Sequence, residues 1–273
     1  MLLHALDLDA YFTRIGYVGP RAPTLATLNA IAASHSSAIP FENLDVLLGQ
    51  TPKLDLASLE RQLIQNRRGG YCFQQNGLLL EALSALGFKA TPLCARVRLK
   101  QPREFIPPRT HLFVKVDLAG EPWMVDCGIG GFSLTAAIRM AVEVEQPTPH
   151  ETRRIVREGT RLFHQVRLKG RWEDIYEFSD EEMPLIDREL GNWWTSTHPE
   201  SIFRQHLIVA RAGLDGTRRS IQDREFTWRH GADILERRII DTPFELLKVL
   251  ARHFDLHFPA DTRFGLPGSL WPS

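Results

Sequence analysis

The spacing of apolar residues changes along this chain, and that change limits the folds open to it. Before about residue 89, apolar residues recur every three or four positions, which is typical of helices with one buried face. From Ala90 they alternate with polar residues and are rich in β-branched and aromatic side chains, which indicates strands. Both patterns occur after Pro184. The sequence therefore predicts an α+β fold with helices first, antiparallel strands next and a mixed region last.

Local start and stop signals divide the first region into helices. Gly16 ends a short helix that begins at Asp9, and Thr24 opens a longer one. Asp55 is a good N-cap for a third helix. A fourth, with apolar residues at helical spacing, is predicted from Cys72 to Leu86.

The predicted strands follow the period-two segments. They span residues 95–99, 111–116, 123–126, 162–168 and 175–178 in the middle region, and 202–209 and 225–229 in the last. Several short antiparallel strands predict a small barrel or a curved sheet. Thr242, Pro243 and Glu245 together predict the start of a final helix that runs through Phe254.

Composition narrows the classes of partner and compartment. Lys plus Arg and Asp plus Glu each number 33, so no overall charge favours nucleic acid or an anionic membrane, and a small-molecule partner is expected. No apolar stretch approaches the length of a membrane span, and His4, Asp7 and Asp9 interrupt the apolar run that a signal peptide needs. The odd count of 3 cysteines suits a reducing cytosol. We therefore predict a cytoplasmic protein.

The segment Arg68-Gly69-Gly70-Tyr71-Cys72 places a cysteine at the start of the fourth helix. The unpaired N–H groups and the positive end of the helix dipole favour an anion there, and so favour the thiolate form of a cysteine. The glycines can adopt backbone angles closed to other residues and let a substrate approach the main chain. Cys72 is therefore a candidate nucleophile, although a buried cysteine after an ordinary turn has the same local sequence.

A cysteine nucleophile needs a base and a group that orients the base, and His111 and Asp126 are suited to these roles. If strands 111–116 and 121–126 form a hairpin around residues 117–120, His111 lies directly opposite Asp126, with Cβ atoms about 4.5–5.5 Å apart. A slip of one residue would place the two side chains on opposite faces, so the prediction depends on the register. Considered singly, His111 has the pattern of a hydrogen-bonded core residue and Asp126 that of a turn cap.

No metal site is predicted from the sequence. Cys72, Cys94 and Cys127 are too far apart along the chain for the short ligand spacings of zinc sites. The remaining histidines form no recognisable ligand pair.

Several motifs of the chain resemble those of the arylamine N-acetyltransferases. The resemblance covers most of the chain, and it rests on residues 68–73 for the nucleophile signature, Thr110-His111 and Asp126 for the histidine and aspartate, and residues 39–43 and 201–203 for two further motifs. It implies three units: a helical bundle over 1–89 that carries Cys72, a β-barrel over 90–195 that carries His111 and Asp126, and an α/β lid over 196–273. The Cys-His-Asp site is then expected in the cleft, on a core like that of cysteine proteases and transglutaminases.

The same resemblance implies an activity and its contacts. It implies transfer of an acetyl group from acetyl-CoA to arylamines, arylhydrazines or arylhydroxylamines by a ping-pong mechanism with an acetyl-cysteine intermediate. The residues implied to contact acetyl-CoA are Thr110, Gly128, Gly130 and Gly131. Those implied to contact the acceptor are Phe41, Val97, Ile129 and Phe203. Backbone N–H groups near Cys72 and Cys127 are expected to stabilise the oxyanion.

Two residues depart from the family pattern, and two other functions stay open. Gln74 stands where many members have glutamate, and Ile129 where members commonly have phenylalanine. A transglutaminase-like or papain-like hydrolase uses a similar Cys-His-acid arrangement. A binding module with an inactive triad would have the same residues.

Overall fold

Helices occupy the beginning of the chain, as the spacing of its apolar residues predicts. In this computed structural model, which describes residues 5–265, these helices are α1 (Leu8–Ile15), α2 (Leu25–Ala38), α3 (Leu44–Leu47), α4 (Leu56–Leu59), which continues as a π-helical turn over Glu60–Gln65, and α5 (Cys72–Ala85). The Asp55 side chain caps α4 as predicted, and the Thr24 side chain caps α2 at the predicted start of that helix. Gly16 ends α1 with a left-handed φ of 66°. His4 and the ends of the units predicted at 1–89 and 196–273 lie outside the described residues.

A seven-stranded antiparallel sheet forms the middle of the molecule. Its strands are β2 (Lys89–Val97), β3 (His111–Leu118), β4 (Glu121–Val125), β5 (Ile138–Arg139), β6 (Arg153–Glu158), β7 (Arg161–Leu168) and β8 (Arg171–Glu182), in the order β5-β4-β3-β2-β8-β7-β6. Isolated bridges from Val142 to Ile155 and from Gln146 to Arg153 connect the segment after β5 to β6. These bridges bring the two edges together, so the sheet is a nearly closed barrel. Strands β5 and β6 were not among the predicted strands.

A second sheet joins the two ends of the chain. It contains β1 (Phe41–Glu42), β9 (Ile208–Ala212), β10 (Thr217–Gln222), β11 (Glu225–His230) and β12 (Asp233–Ile239), in that order. Its helices are α6 (Leu185–Thr197), α7 (Ile202–Gln205) and α8 (Pro243–Phe254), and Thr242 caps α8 as predicted. Because β1 comes from the helical region, this sheet fastens the first part of the chain to the last.

The predicted strand at 202–209 is wrong in its first half. Residues Ile202–Gln205 form the single turn of α7, because the Ser201 hydroxyl accepts the N–H of Phe203 at 3.3 Å and caps a helix there. Strand β9 begins only at Ile208. Helix α6 and strands β10 and β12 were also not predicted, since their many charged residues obscure the apolar pattern.

The helical region, the barrel and the second sheet meet around Cys72. One apolar cluster packs the helices against the outer face of β3 and β4, and another fills the barrel. A third contains Phe41 of β1, Cys72 of α5, Leu112 of β3 and Ala210 of β9. The cysteine therefore lies at the junction of all three regions. Among residues 5–265, no helix is both long enough and apolar enough to cross a membrane.

Candidate active site

A tight turn at Gly69 and Gly70 places Cys72 at the first position of α5. A Cβ atom added to Gly69 would lie 2.1 Å from the Pro40 carbonyl oxygen, so only glycine fits where this turn passes the Pro40 backbone. Cys72 follows directly after the turn and is 3% exposed. Its Sγ donates a hydrogen bond to the Thr110 carbonyl oxygen at 3.4 Å, which places the thiol beside the start of β3.

His111 and Asp126 are in direct contact, with His111 Nε2 2.8 Å from Asp126 Oδ2. The predicted register of their hairpin is wrong by two residues: β3 and β4 connect through a two-residue turn at Ala119 and Gly120, which both have positive φ. A shift of two keeps every side chain on its own face of the sheet. The two residues therefore meet diagonally instead of directly across the strands.

The electrostatics of this contact favour a charged pair. Burial alone would lower the pKa of His111, but the charge and hydrogen bond of Asp126, together with Cys72, raise it to about 10. Burial opposes ionisation of Asp126, yet His111 and two further hydrogen-bond donors hold the pKa of this carboxyl below its ordinary value. Cys72 acts on His111 in the same direction as Asp126, so the thiol lies within electrostatic reach of the imidazole. Because His111 Nε2 contacts Asp126, Nδ1 is the ring nitrogen that remains to interact with the Cys72 sulfur.

Asn76 belongs to this site, although the sequence argument assigned it no role. Its Nδ2 donates to Asp126 Oδ1 at 2.8 Å and to the Leu112 carbonyl oxygen at 2.6 Å. Its Oδ1 accepts the N–H of Cys127 at 2.9 Å. The available sequence signal was its position four residues after Cys72, on the same face of α5.

The backbone after Asp126 is used to hold the carboxylate. The Cys127 N–H donates to Asn76, and the Gly128 N–H donates to Asp126 Oδ1 at 2.9 Å. Both N–H groups are already engaged, so neither supports the expectation that backbone donors near Cys127 stabilise an oxyanion. The first-turn N–H groups of α5 remain as candidates for this role.

Tyr176 packs on the imidazole and was also missed from the sequence. Its ring centroid lies 4.9 Å from that of His111, and its hydroxyl interacts with Asp126 as well as with the Met124 sulfur at 3.2 Å. Its ring centroid also lies 4.8 Å from that of buried His164. No local motif marks Tyr176, since its strand lies far from both His111 and Asp126 in sequence.

The three glycines predicted to contact acetyl-CoA have different surroundings. A Cβ on Gly128 would lie 2.7 Å from Cys72 Cα, so this glycine lets the chain pack against the start of α5. Gly130 has a left-handed φ of 70° and lies beside the Phe41 ring. A Cβ on Gly131 would meet nothing within 4 Å. Of the three, Gly131 has an open approach.

The four predicted acceptor contacts fall into two groups. Phe41 and Phe203 have ring centroids 5.9 Å apart, and Phe203 also meets Tyr71 at 5.5 Å, in the cluster that contains Cys72. Val97 and Ile129 instead belong to the cluster that fills the barrel. The structure thus brings the two phenylalanines, but not Val97 or Ile129, into the cluster of the candidate nucleophile.

Comparison with known proteins identifies the family. The N-acetyltransferase family model matches residues 24–263. The chain is 39% identical over 250 residues to the arylamine N-acetyltransferase / N-hydroxyarylamine O-acetyltransferase of Salmonella typhimurium, covering 91% of this chain and 88% of that protein. The chain belongs to the arylamine N-acetyltransferase family. A further arylamine N-acetyltransferase, from Mycolicibacterium smegmatis, is 38% identical over 257 residues, with 92% of each chain covered.

Solved structures of arylamine N-acetyltransferases share the fold. The Salmonella typhimurium enzyme superposes with a TM-score of 0.89 at 38% identity over 96% of both chains. The Mycobacterium marinum arylamine N-acetyltransferase in complex with CoA gives a TM-score of 0.87 at 33% identity, covering 91% of this chain and 92% of that one. The mixed α/β architecture predicted from the sequence is thereby confirmed.

In this member of the arylamine N-acetyltransferase family, Gln74 is enclosed. It is 1% exposed, and its Oε1 accepts the Tyr71 N–H at 3.3 Å, which caps the start of α5. Its Nε2 has no hydrogen-bond partner among the described residues. The amide oxygen is thus the acceptor for this backbone donor, whereas the amide nitrogen leaves its two N–H donors without an acceptor among the described residues.

The other two cysteines, Cys94 and Cys127, lie in different environments from Cys72. Burial raises the pKa of Cys127 to about 12 and also raises the pKa of Cys94. Neither has a histidine partner in the described part of the chain. Within the same residues, no group of three or more metal-ligating side chains is placed to hold a metal ion.

Proposed function

We propose that this protein transfers acetyl groups from acetyl-CoA to arylamines, arylhydrazines or arylhydroxylamines through an acetyl group carried on Cys72. The observation that carries the proposal is a buried thiol at a helix N-terminus, within electrostatic reach of an imidazole that Asp126 holds at 2.8 Å. The family of the chain supports the reaction class, and the CoA complex of the Mycobacterium marinum relative supports the donor.

The first half-reaction begins with the Cys72 proton on His111. The raised pKa of His111 favours this ion pair, and Asp126 stabilises the imidazolium. The thiolate attacks the thioester carbon of acetyl-CoA, a new bond forms to Sγ, and the bond to the CoA sulfur breaks. His111 returns its proton to the departing sulfur. The N–H groups of Cys72 and Phe73, which lack intrahelical acceptors at the start of α5, stabilise the oxyanion.

The second half-reaction uses the same groups in the opposite sense. The acceptor nitrogen attacks the acetyl carbon on Cys72, and neutral His111 takes the proton that the nitrogen loses. Sγ then leaves as the thiolate and the ion pair is restored. Donor and acceptor react in turn at one thiol, so the kinetics are ping-pong.

We assign the residues that contact the acetyl donor and the acceptor from the surroundings of each side chain. Thr110 and Gly131 contact acetyl-CoA: the Thr110 carbonyl meets the thiol, and Gly131 has an open approach. Gly128 and Gly130 shape the segment around them. Phe41 and Phe203 contact the aryl ring of the acceptor. Val97 and Ile129 line the barrel side of the same acceptor region.

The three predicted units divide the chemistry between them. The helical unit over 1–89 supplies Cys72, the barrel unit over 90–195 supplies His111 and Asp126 on a protease-like core, and the lid unit over 196–273 supplies Phe203. We place the protein in the cytoplasm, where its 3 free cysteines remain reduced.

Mass spectrometry of the protein mixed with acetyl-CoA alone tests the proposal. We expect one acetyl group on the Cys72 peptide, one equivalent of released CoA thiol, and neither with Cys72→Ser, whose hydroxyl is a far weaker nucleophile at neutral pH. Continuous CoA release without acetyl-enzyme would indicate the papain-like or transglutaminase-like hydrolase. No release, together with alkylation of Cys72 no faster than that of Cys94 and Cys127, would indicate a binding module.

A further inference from the structure

A cavity of about 400 Å³ lies between the C-terminal end of α2 and the turn that joins β9 to β10. Arg211 and Arg219 both line it, together with Ser37, the end of α2 and the turn itself. Arg211 follows Ala210 in β9, and the Ala210 side chain packs in the apolar cluster that contains Cys72. Because successive side chains of a strand point to opposite faces, the cavity is on the face of the second sheet that turns away from the thiol.

The two arginines stand directly opposite each other in adjacent strands. Arg219 of β10 pairs with Arg211 of β9 in the antiparallel register, so both side chains share one face. Like charges directly across a strand pair are destabilising. Across residues 5–265 neither guanidinium forms an ion pair with a carboxylate, unlike the neighbouring Arg218, which pairs with Glu151.

Within residues 5–265, each guanidinium has N–H donors that no acceptor uses. In this part of the chain Arg211 donates only through Nε, to the Ser37 carbonyl oxygen at 2.5 Å. Arg219 lies over the Trp228 ring at 4.5 Å, and its Nε is buried with no partner among the described residues. Burial and then the charge of Arg219 lower the pKa of Arg211, and the charge of Asp255 only partly opposes them. This lowering agrees with mutual repulsion between the two cations.

The carboxylate that lines the cavity has another role. Asp215 also lines the cavity, but its Oδ1 accepts the Thr217 N–H at 3.1 Å and the Thr217 hydroxyl at 2.7 Å. Asp215 therefore shapes the turn between β9 and β10 instead of pairing with Arg211 or Arg219. The cavity has an excess of positive charge at its arginine side.

We infer that this cavity binds a phosphate-bearing small molecule, with Arg211 and Arg219 holding the phosphate between them. Paired guanidinium groups match the oxygens of a phosphate, and the bound dianion would remove the repulsion between the two cations. A volume of about 400 Å³ is within the range of ligand pockets and leaves room for more than the phosphate itself. Since the cavity faces away from Cys72, its ligand is distinct from the acetyl-CoA of the proposed reaction.

Binding of inorganic phosphate, measured by isothermal titration calorimetry, tests this site. Titrations into the full chain use chloride at matched ionic strength as the reference. We expect phosphate-specific binding that Arg219→Gln and Arg211→Gln each weaken by about ten- to a hundredfold, the range of a lost charge-assisted hydrogen bond. Arg157→Gln is the matched control, because Arg157 is exposed on β6 and away from the cavity. It should bind phosphate like the wild type.

A second titration in saturating CoA separates this site from the donor site. Phosphate binding that persists in CoA supports the inference, whereas complete displacement by CoA assigns the phosphate to the donor site and overturns it. Absence of phosphate-specific binding to the wild type, or unchanged binding in folded Arg219→Gln and Arg211→Gln proteins, overturns it as well. Repeating the titration on Cys72→Ser makes the result independent of the proposed acetyl transfer.

Discussion

Asn76 Nδ2 lies 2.8 Å from Asp126 Oδ1, so the helix that carries the candidate nucleophile also holds the carboxylate that orients its base. The other oxygen of Asp126 accepts from His111 at 2.8 Å. One side chain thereby ties α5 to the end of β4 and fixes the position of Cys72 relative to His111.

Removing this connection should slow acetylation of the enzyme. Asn76→Ala leaves Asp126 Oδ1 and the Cys127 N–H without a partner, and hydrogen bonds to charged groups contribute about 1.5–3 kcal/mol. We expect a ten- to hundredfold slower release of CoA thiol in a single turnover. Ser84→Ala, an exposed change on the same helix, is the control and should react like the wild type. An unchanged rate in folded Asn76→Ala protein would assign Asn76 a purely structural role.

Asp126→Asn should cost several orders of magnitude in acetyl transfer. An amide cannot stabilise the imidazolium, and the corresponding change in a serine triad lowers the rate about 10⁴-fold. The pKa of His111 should also fall from about 10, because the charge of Asp126 is one of the causes that raise it. The measurements are single-turnover CoA release and a titration of His111 by NMR. Full thiol reactivity in a folded Asp126→Asn protein would contradict a catalytic contact.

Ile129→Phe should improve binding of aryl acceptors. An aromatic pair contributes about 0.5–1.5 kcal/mol beyond burial, so the acceptor KM should fall by up to roughly tenfold. Steady-state assays with one arylamine and one arylhydrazine measure this change, and the acetylation half-reaction should be unaffected. Ile129→Leu keeps the volume without a ring and is the control. Because Ile129 packs in the barrel cluster, an unchanged or raised KM for both acceptors would place it outside the acceptor pocket.

His35 should make the folded state less stable as the pH falls. Its ring nitrogens interact with the Tyr11 hydroxyl at 2.9 Å and Gln75 Oε1 at 2.7 Å, and burial lowers its pKa to about 4. The unfolded chain binds a proton near pH 6.5 and the folded chain only near pH 4, so stability is lost as the pH falls between these values. This group alone should remove about 2 kcal/mol of unfolding free energy between pH 7 and pH 5.

Urea unfolding at pH 7 and pH 5 measures this loss. His35→Gln should show a smaller decrease than the wild type, because glutamine does not titrate. His257→Gln, at an exposed histidine, is the matched control and should follow the wild type. Equal pH dependence in all three proteins would show that folding does not shift the pKa of His35.

The sequence by itself determined the local features of this protein. The caps at Thr24, Asp55 and Thr242 were predictable because each depends on a side chain and an N–H group only a few residues away. Cys72 at the start of α5 followed from the preceding glycines for the same reason. His111 and Asp126 were predicted on one face because a strand alternates with period two, and an error of two residues in the register does not change the face.

Only the tertiary structure decided which distant groups complete the site. Asn76 reaches Asp126, and Tyr176 packs on His111, because α5 and β8 come together against the start of β3, and no local pattern encodes those approaches. From the sequence alone, the Cys127 N–H is a candidate oxyanion donor, but the packing of α5 places Asn76 where its side-chain oxygen accepts this N–H. Contacts between residues far apart along the chain depend on how whole elements pack, whereas caps and strand faces depend on their immediate neighbours.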